Sequence, residues 1–456
     1  MSQQYSYIYF VGIGGIGMSN LARFFKAKGK VVAGYDRTAS LLTKELENEG
    51  IAIHYKDCPD AIPVDFLDSE KTLVVRTPAV PEDIAELQFF FDNGFKVLKR
   101  AQVLGVVSKD NRGLCIAGTH GKTTTSMLTA HLLKQSHVDC SAFLGGISKN
   151  YDTNLLISES SDLTVIEADE YDRSFHQLHP YMAVITSVDA DHLDIYRTHE
   201  AYLESFAHFT ELIRPGGALV IKKGLPLECR LNEGVSAYTY SVTEKADYYA
   251  ENIRIGQGKL LFDFYKPDGC ILDMELGVPV RVNVENAVAA MAIANLNGVT
   301  DDELRTALAS FRGTRRRFDM QIYRNDFVYI DDYAHHPEEL RASIKSIKDL
   351  FPGKKITGIF QPHLYSRTRD FAEQFAEVLS ELDDLILLDI YPAREDPIPG
   401  VTSQIILDKV TINSKIITTL DKVFEVLDSK QPEVLVTLGA GSIDSLVPLI
   451  KKRFEA

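Results

Sequence analysis

The chain has 456 residues, 45% of them apolar and 25% charged, with a formal net charge of −15 from 49 basic against 64 acidic residues. That length suggests about three domains at ~150 residues each, and an acidic chain with no basic block is a poor match for nucleic acid as main partner. Cys58, Cys115, Cys140, Cys229 and Cys270 are odd in number, scattered and without CxxC spacing, which argues against a disulfide framework or a zinc site; with a polar start and no apolar run near ~18 residues, a soluble, cytoplasmic protein without a membrane span is expected.

Taken in order, a strand is predicted over 7–11, then Gly12-Ile13-Gly14-Gly15-Ile16-Gly17, a helix over 18–28, a second strand over 31–35, and Asp36. GxGxxG with an acidic residue closing the next strand is the dinucleotide fingerprint. Weaker strands over 51–54 and 72–76 and a helix over 82–93 continue the alternation to about residue 107. On these residues an NAD-dependent dehydrogenase and some other nucleotide-binding Rossmann-like domain fit equally well.

The second segment contains the stretch around which the chain is organised. An apolar strand over 113–117 runs through Gly118-Thr119-His120-Gly121-Lys122-Thr123-Thr124-Thr125 into a helical pattern over 126–133. Such a turn exposes successive backbone N–H groups at the positive end of a helix, a concavity suited to phosphate oxygens. Lys122 would reach the β- and γ-phosphates and Thr123 would ligate Mg²⁺, although the spacing is shorter than the strict Walker pattern. A strand over 163–168 ends in Glu167-Ala168-Asp169-Glu170, and one over 182–186 precedes Asp189-Ala190-Asp191-His192-Leu193-Asp194. Carboxylates at the carboxyl ends of parallel strands are placed to bind ligands and are hard donors for Mg²⁺, with histidine the unusual member. Alternating runs over 248–255, 260–265 and 270–275 predict an antiparallel appendage, and helices follow over 283–296 and 301–311.

At Gly313-Thr314-Arg315-Arg316-Arg317-Phe318-Asp319 the sequence turns basic and a third α/β pattern begins. Strands are expected over 327–331, 355–360, 384–388, 414–417 and 434–438, with helices over 337–350 and 368–382. Two polar loops directly follow strands: Asp331-Asp332-Tyr333-Ala334-His335-His336-Pro337 and Gln361-Pro362-His363-Leu364-Tyr365-Ser366-Arg367-Thr368-Arg369. The resulting fold class is α/β in three domains: Rossmann-like over 1–107, a P-loop-type, mostly parallel sheet with a small antiparallel appendage over 108–313, and Rossmann-like again over 314–456.

Gly118 to Thr125, Glu167 to Glu170, Asp191-His192, Asn283-Val284-Glu285-Asn286, Arg316-Arg317-Phe318-Asp319 and Asp332-Tyr333-Ala334-His335 fall in the order of the Mur ligase family of peptidoglycan-building enzymes, which the chain resembles over essentially its whole length. The opening glycine loop, the Gly118-Thr119-His120-Gly121-Lys122 form of the second loop, and Phe360-Gln361-Pro362-His363 with Arg367-Thr368-Arg369 are most similar to the branch that joins L-alanine to UDP-N-acetylmuramate. The resemblance implies three domains that bind UDP-sugar, ATP and amino acid in that order, and an ADP-forming ligase that works through an acyl phosphate with ATP and Mg²⁺. Carried over by position, Gly12, Gly14, Gly15, Gly17, Asp36 and Thr77 would hold the UDP-sugar. Gly118, Thr119, His120, Gly121, Lys122, Thr123 and Thr124 would cradle the phosphates of ATP, Asn286 would contact adenine, Arg317 a phosphate and Asp332 the ribose. Thr123 would ligate one Mg²⁺ beside the phosphates, Glu167 and His192 a second nearer the acyl phosphate, and His335, His363 and Arg367 would face the incoming amino acid.

Some positions depart from the family pattern. Phe206 stands where several related ligases carry a carbamylated lysine, which implies no carbamate bridge here. Val282 replaces a histidine that commonly precedes the Asn-x-x-Asn motif, Leu364 an arginine that commonly follows His363, and Tyr171 and Arg173 the small residues usual after Asp169-Glu170. A recycling ligase that attaches a murein tripeptide to the same UDP-sugar shares almost every motif. A dehydrogenase would leave the second loop unexplained, and a regulatory protein without turnover would not need Lys122, Glu167 and His192 together.

Overall fold

The computed structural model describes residues 5–77, 79–256, 258–393 and 395–455. Three sheets organise them. The first has the order Ala52–His54, Val31–Tyr35, Tyr7–Val11, Thr72–Arg76, Lys96–Lys99, and is parallel throughout. Its central strand reads YIYFV and is buried almost end to end, as a parallel strand covered on both faces requires. The chain leaves this strand toward one edge and later returns to its other side, so a crevice opens at its carboxyl end, where Gly12 to Gly17 lie.

The second sheet has ten strands. Arg112–Ala117 sits between Met182–Ile185 and Leu163–Glu167, parallel to both. The reversal of strand order falls beside this strand too, and the Gly118 loop emerges between Glu167 and Thr186. One edge carries Ser141–Phe143 and Leu155–Leu156, an antiparallel pair too short for periodicity to reveal. The other edge continues through Ala218–Lys222, Ser236–Ser241 and Tyr248–Gly256 to Lys259–Lys266 and Gly269–Glu275. The last two are joined only by Pro267 and Asp268, a connection too short for parallel pairing, so the expected appendage is an extension of the main sheet. One apolar cluster joins Ile8, Phe10 and Val75 of the first sheet to Cys115, Ile166, Phe206 and Phe209 of the second element set.

The third sheet has the order Asp319–Tyr323, Val328–Asp332, Val434–Leu438, Ile356–Phe360, Asp384–Leu388, Lys415–Thr418, parallel except for its first strand. Val328–Asp332, Val434–Leu438 and Ile356–Phe360 are neighbours, so the loops that follow them share one edge. Helix Pro337–Leu350 begins where His336 caps it and proline occupies its first turn. The single helix expected over 368–382 is instead two, Tyr365–Asp370 and Ala372–Leu379, broken at Phe371, whose φ is −115°. By compactness the chain forms two units, one of residues 1–251, 262–274 and 284–311, the other of 252–261, 275–283 and 312–456. Among the described residues no helix is long and apolar enough to cross a membrane.

The first sheet buries an acid. Tyr9 donates to Glu86 Oε2 at 2.7 Å and lies 2.7 Å from His54 Nε2, and Glu86 is fully buried. Burial pushes its carboxyl up to about 7, against the hydrogen bond from Tyr9. The folded protein therefore keeps a proton that the unfolded chain has already lost above pH ~4.5. Stability from this site is complete below that pH and declines as pH rises through about 7. Glu86→Gln is expected to remove a decline of about 2.5 kcal/mol between pH 5 and pH 8, read as a flatter dependence of the unfolding midpoint on pH. Equal slopes for the two proteins would show that Glu86 is ionised in the fold.

Candidate active site

The helix Lys122–Lys134 starts at Gly121, whose φ is +82°, with no side chain capping its first turn. Its free N–H groups therefore face the loop, the arrangement that attracts an anion. Gly118 has a φ of +135°, and a Cβ there would lie 2.0 Å from Thr186 Oγ1, so only glycine lets the loop pass Thr186. Thr119 Oγ1 donates to Asp189 O at 2.9 Å, the His120 N–H donates to Ser187 Oγ at 2.8 Å, and the exposed His120 ring lies 3.9 Å from Asp189. Thr124 lies half-buried on the first turn. Asn286 is brought against this loop: its Oδ1 accepts from Thr125 Oγ1 at 3.2 Å, and a Cβ on Gly121 would meet it at 2.6 Å. Lys122 folds back, donating to Gly118 O at 2.7 Å and to Glu170 Oε1 at 2.8 Å.

The pair expected to share one Mg²⁺, Glu167 and His192, meet different partners. Thr123 Oγ1 donates to Glu167 Oε1 at 3.0 Å and Ser126 Oγ to Glu167 Oε2 at 3.4 Å, whereas His192 Nε2 lies 3.7 Å from Glu170 Oε1. Among the described residues no three His, Cys, Asp or Glu side chains gather as a ready-made metal cluster. The donors still suit Mg²⁺, which is held by one or two carboxylates and by substrate phosphates rather than by an all-protein cage. Gly145 leaves the space: a Cβ there would come within 2.3 Å of Glu167 Oε2. Glu170, expected only as one of the carboxylates at this strand end, is 1% exposed, and its Oε2 has no hydrogen-bond partner among the described residues. Burial pushes its carboxyl up, and Lys122 opposes the shift.

Tyr171 and Arg173, both unusual for the family, bracket this centre. The Tyr171 ring meets His192 edge-on at 5.2 Å, and the Arg173 guanidinium lies 5.2 Å over Tyr196. Asp172, Arg173 and His192 all have positive φ, at 50°, 54° and 51°, a strain that tends to collect at working sites. Phe206 is fully buried in the core.

At the first glycine loop Gly12 has a φ of +86°, and a Cβ there would strike Thr77 Cγ2 at 2.6 Å. Asp36 Oδ2 accepts from the Gly14 N–H at 2.8 Å, so its carboxylate braces the loop. Gly15 begins the helix Ile16–Ala27, again without a side-chain cap, and Gly17 lies under Arg100, whose Nη1 a Cβ would meet at 2.5 Å. A cavity of about 300 Å³ runs from Gly17 and Arg100 past Asn20 and Gly145 to Glu167 and Asp169. It connects the first glycine loop with the end of strand Leu163–Glu167.

In the third sheet, Arg317 lies 5.4 Å over the Tyr333 ring, and its charge acts on Asp332 and His335. Burial raises Asp332, and it lowers His335 to favour the neutral imidazole. His335 Nδ1 lies 3.0 Å from Tyr333 O, and the His335 and His363 rings are 5.8 Å apart. His363 stacks on Tyr391 at 5.7 Å. Leu364 has a φ of +69° and donates its N–H to Tyr391 O. Arg367 has a buried Nη1 without a hydrogen-bond partner among the described residues. Sequence reading missed Gly439-Ala440-Gly441-Ser442, a third glycine turn after an apolar strand. Gly439 O accepts from Arg316 at 2.6 Å, and a Cβ on Gly441 would meet the Tyr391 side chain at 2.6 Å. The apolar run over 434–438 followed by Gly-Ala-Gly was the available cue. Val282 is exposed on the first turn of helix Arg281–Leu296.

Three family profiles match in succession: "Mur ligase family, catalytic domain" over residues 7–112, "Mur ligase middle domain" over 116–294 and "Mur ligase, glutamate ligase domain" over 316–441. The UDP-N-acetylmuramate–L-alanine ligase of Parabacteroides distasonis is 62% identical over 445 residues, covering 98% of this chain and 96% of that protein. The ligase of the same name from Porphyromonas gingivalis is 57% identical over 450 residues, covering 98% and 99%. Among solved structures, UDP-N-acetylmuramate-alanine ligase MurC from Thermotoga maritima has a TM-score of 0.81 at 27% identity, covering 98% of this chain and 99% of that one. A murein peptide ligase from Psychrobacter arcticus, at 21% identity and a TM-score of 0.65 over 98% of each chain, shares the fold. Matched along nearly all its length, with both glycine loops at the carboxyl ends of parallel strands, the chain belongs to the Mur ligase family.

Proposed function

We propose that the protein is an ATP-dependent, ADP-forming ligase that joins L-alanine to the lactyl carboxylate of UDP-N-acetylmuramate in cytoplasmic peptidoglycan precursor synthesis. The observation that carries this reading is the 62% identity across 98% of the chain to a relative of that name. In this reading residues 1–107 bind the UDP-sugar, 108–313 bind ATP and 314–456 bind the amino acid. A dehydrogenase is disfavoured because it would leave the second glycine loop, from Gly118 to Thr125, without a role.

A carboxylate does not acylate an amine at neutral pH, because its leaving group would be oxide or hydroxide. Transfer of the γ-phosphoryl group to the lactyl carboxylate gives an acyl phosphate; the amine then attacks the carbonyl and phosphate leaves. Two anions must meet in the first step, so the protein has to neutralise and align them. The uncapped helix start at Gly121 supplies N–H groups to the phosphates, Lys122 supplies a cation, and Asn286 lines the loop toward adenine. The cavity from Gly17 to Glu167 can hold the sugar with its lactyl group near the nucleotide loop. Thr123 would hold one Mg²⁺ and Glu167 and His192 a second, and these ions when bound would supply positive charge that offsets the repulsion of the two anions. Arg317 and Asp332 act on the nucleotide, and His335, His363 and Arg367 on the amino acid. With UDP-N-acetylmuramate, ATP and Mg²⁺ present, phosphate release is expected with L-alanine and not with a murein tripeptide. Turnover with the tripeptide alone would identify a recycling ligase instead.

A further inference from the structure

The Lys122 ammonium has three N–H donors, and the protein engages them: Gly118 O at 2.7 Å, Thr119 O at 3.4 Å and Glu170 Oε1 at 2.8 Å. A triphosphate entering the loop needs that ammonium. The carbonyls belong to the loop itself and cannot leave without unfolding it. Glu170 is the partner that can let go, and its negative charge would otherwise repel the incoming phosphate. We propose that Glu170 is a positioning residue that occupies Lys122 in place of the nucleotide and releases it when ATP binds, turning toward His192. The proposal rests on the ATP-dependent reading above.

The surroundings of Glu170 fit a side chain built to exchange partners. Its backbone carbonyl is anchored by the Tyr196 hydroxyl at 2.5 Å, which fixes the start of the side chain. Its Oε1 already lies 3.7 Å from His192 Nε2, and its buried Oε2 has no partner among the described residues. A buried carboxylate rarely keeps an oxygen unsatisfied, so this arrangement has capacity to spare once Lys122 departs. Binding must disrupt the Lys122–Glu170 pair, which lowers the apparent affinity of the loop for nucleotide. In exchange, arrival of the phosphate is coupled to the setting of His192.

Glu170→Gln keeps the shape and removes the charge. It is expected to bind a non-hydrolysable ATP analogue about tenfold more tightly by calorimetry, and to lower both KM for ATP and kcat. The gain in affinity should persist in EDTA, because it acts through Lys122, and be much smaller when Glu170→Gln is made in a Lys122→Met protein, where only the direct repulsion of the phosphate is relieved. Unchanged or weaker binding by Glu170→Gln overturns the proposal, as does a gain of undiminished size in the Lys122→Met protein. A gain that needs Mg²⁺ would place Glu170 on the metal and overturn it as well. Melting curves identify any variant that fails to fold; if Glu170→Gln is one, Glu170→Ala carries the same comparison, with the same expected gain and the same overturning result. Failure of the unaltered protein to bind the analogue would overturn the ligase reading itself, an outcome distinct from the others.

Discussion

Lys122→Ala is expected to reduce ADP formation by about a thousandfold while leaving the affinity for UDP-N-acetylmuramate within about twofold of the original. The two parts of this prediction have separate causes. Lys122 is a cation held within the Gly118 loop of the second sheet, so in the proposed function its loss would remove charge where charge develops on the transferring phosphoryl group. Gly12 to Gly17 follow a strand of the first sheet and are braced by Asp36 and Thr77, none of which contacts Lys122. Coupled ADP assays and calorimetry with the UDP-sugar measure the two parts. Loss of both together would contradict the separate assignment of the two glycine loops.

The substitution also strands Glu170 in a nearly dry position. Removing one partner of a buried ion pair typically costs about 3–5 kcal/mol because the other is left unpaired, so Lys122→Ala alone is expected to melt early. Adding Glu170→Gln should return most of the lost stability and none of the activity. Stability and catalysis thus separate within one pair of residues, which distinguishes a lost catalytic cation from a disordered loop.

What the sequence disclosed was governed by period and by glycine. Tyr7 to Val11 and Gly113 to Ala117 are apolar runs ending in glycine turns, and both are central parallel strands in the fold. Strand Asp384–Leu388 and helix Pro337–Leu350 also lie where their patterns place them. The pair Ser141–Phe143 and Leu155–Leu156 escaped because two or three residues carry no period. The break at Phe371 escaped because Tyr365 to Leu379 is helix-compatible throughout and contains no proline or glycine. Within the site, each side chain could be located at a strand end, but pairing could not. Glu167 and His192 look like joint ligands in sequence, yet Glu167 meets Thr123 and His192 faces Glu170. Such partner choice depends on side-chain direction after folding, to which motif spacing is blind. The Gly439 turn was overlooked because its neighbours, Arg316 and Tyr391, lie far from it along the chain.

Arg367→Ala is expected to raise KM for L-alanine by about a hundredfold or more, with a much smaller effect on KM for ATP. The guanidinium has a buried Nη1 without a partner among the described residues, and leaving such a donor unused in a folded protein is costly. An amino-acid carboxylate would satisfy it through a two-pronged contact. The arginine that commonly follows His363 in the family is absent, because Leu364 stands in its place, so in the proposed function more of the carboxylate's recognition would fall on this one side chain. Arg367→Lys should recover little, since a point charge on a flexible stem does not reproduce the planar fork. Because the acyl phosphate forms before the amine attacks it, Arg367→Ala should still make it from UDP-N-acetylmuramate and ATP, and hydroxylamine should trap it as a hydroxamate at near-normal rate. A variant that loses hydroxamate formation together with ligation would place Arg367 on the phosphoryl-transfer step, whereas an unchanged KM for L-alanine would remove it from the amino-acid site.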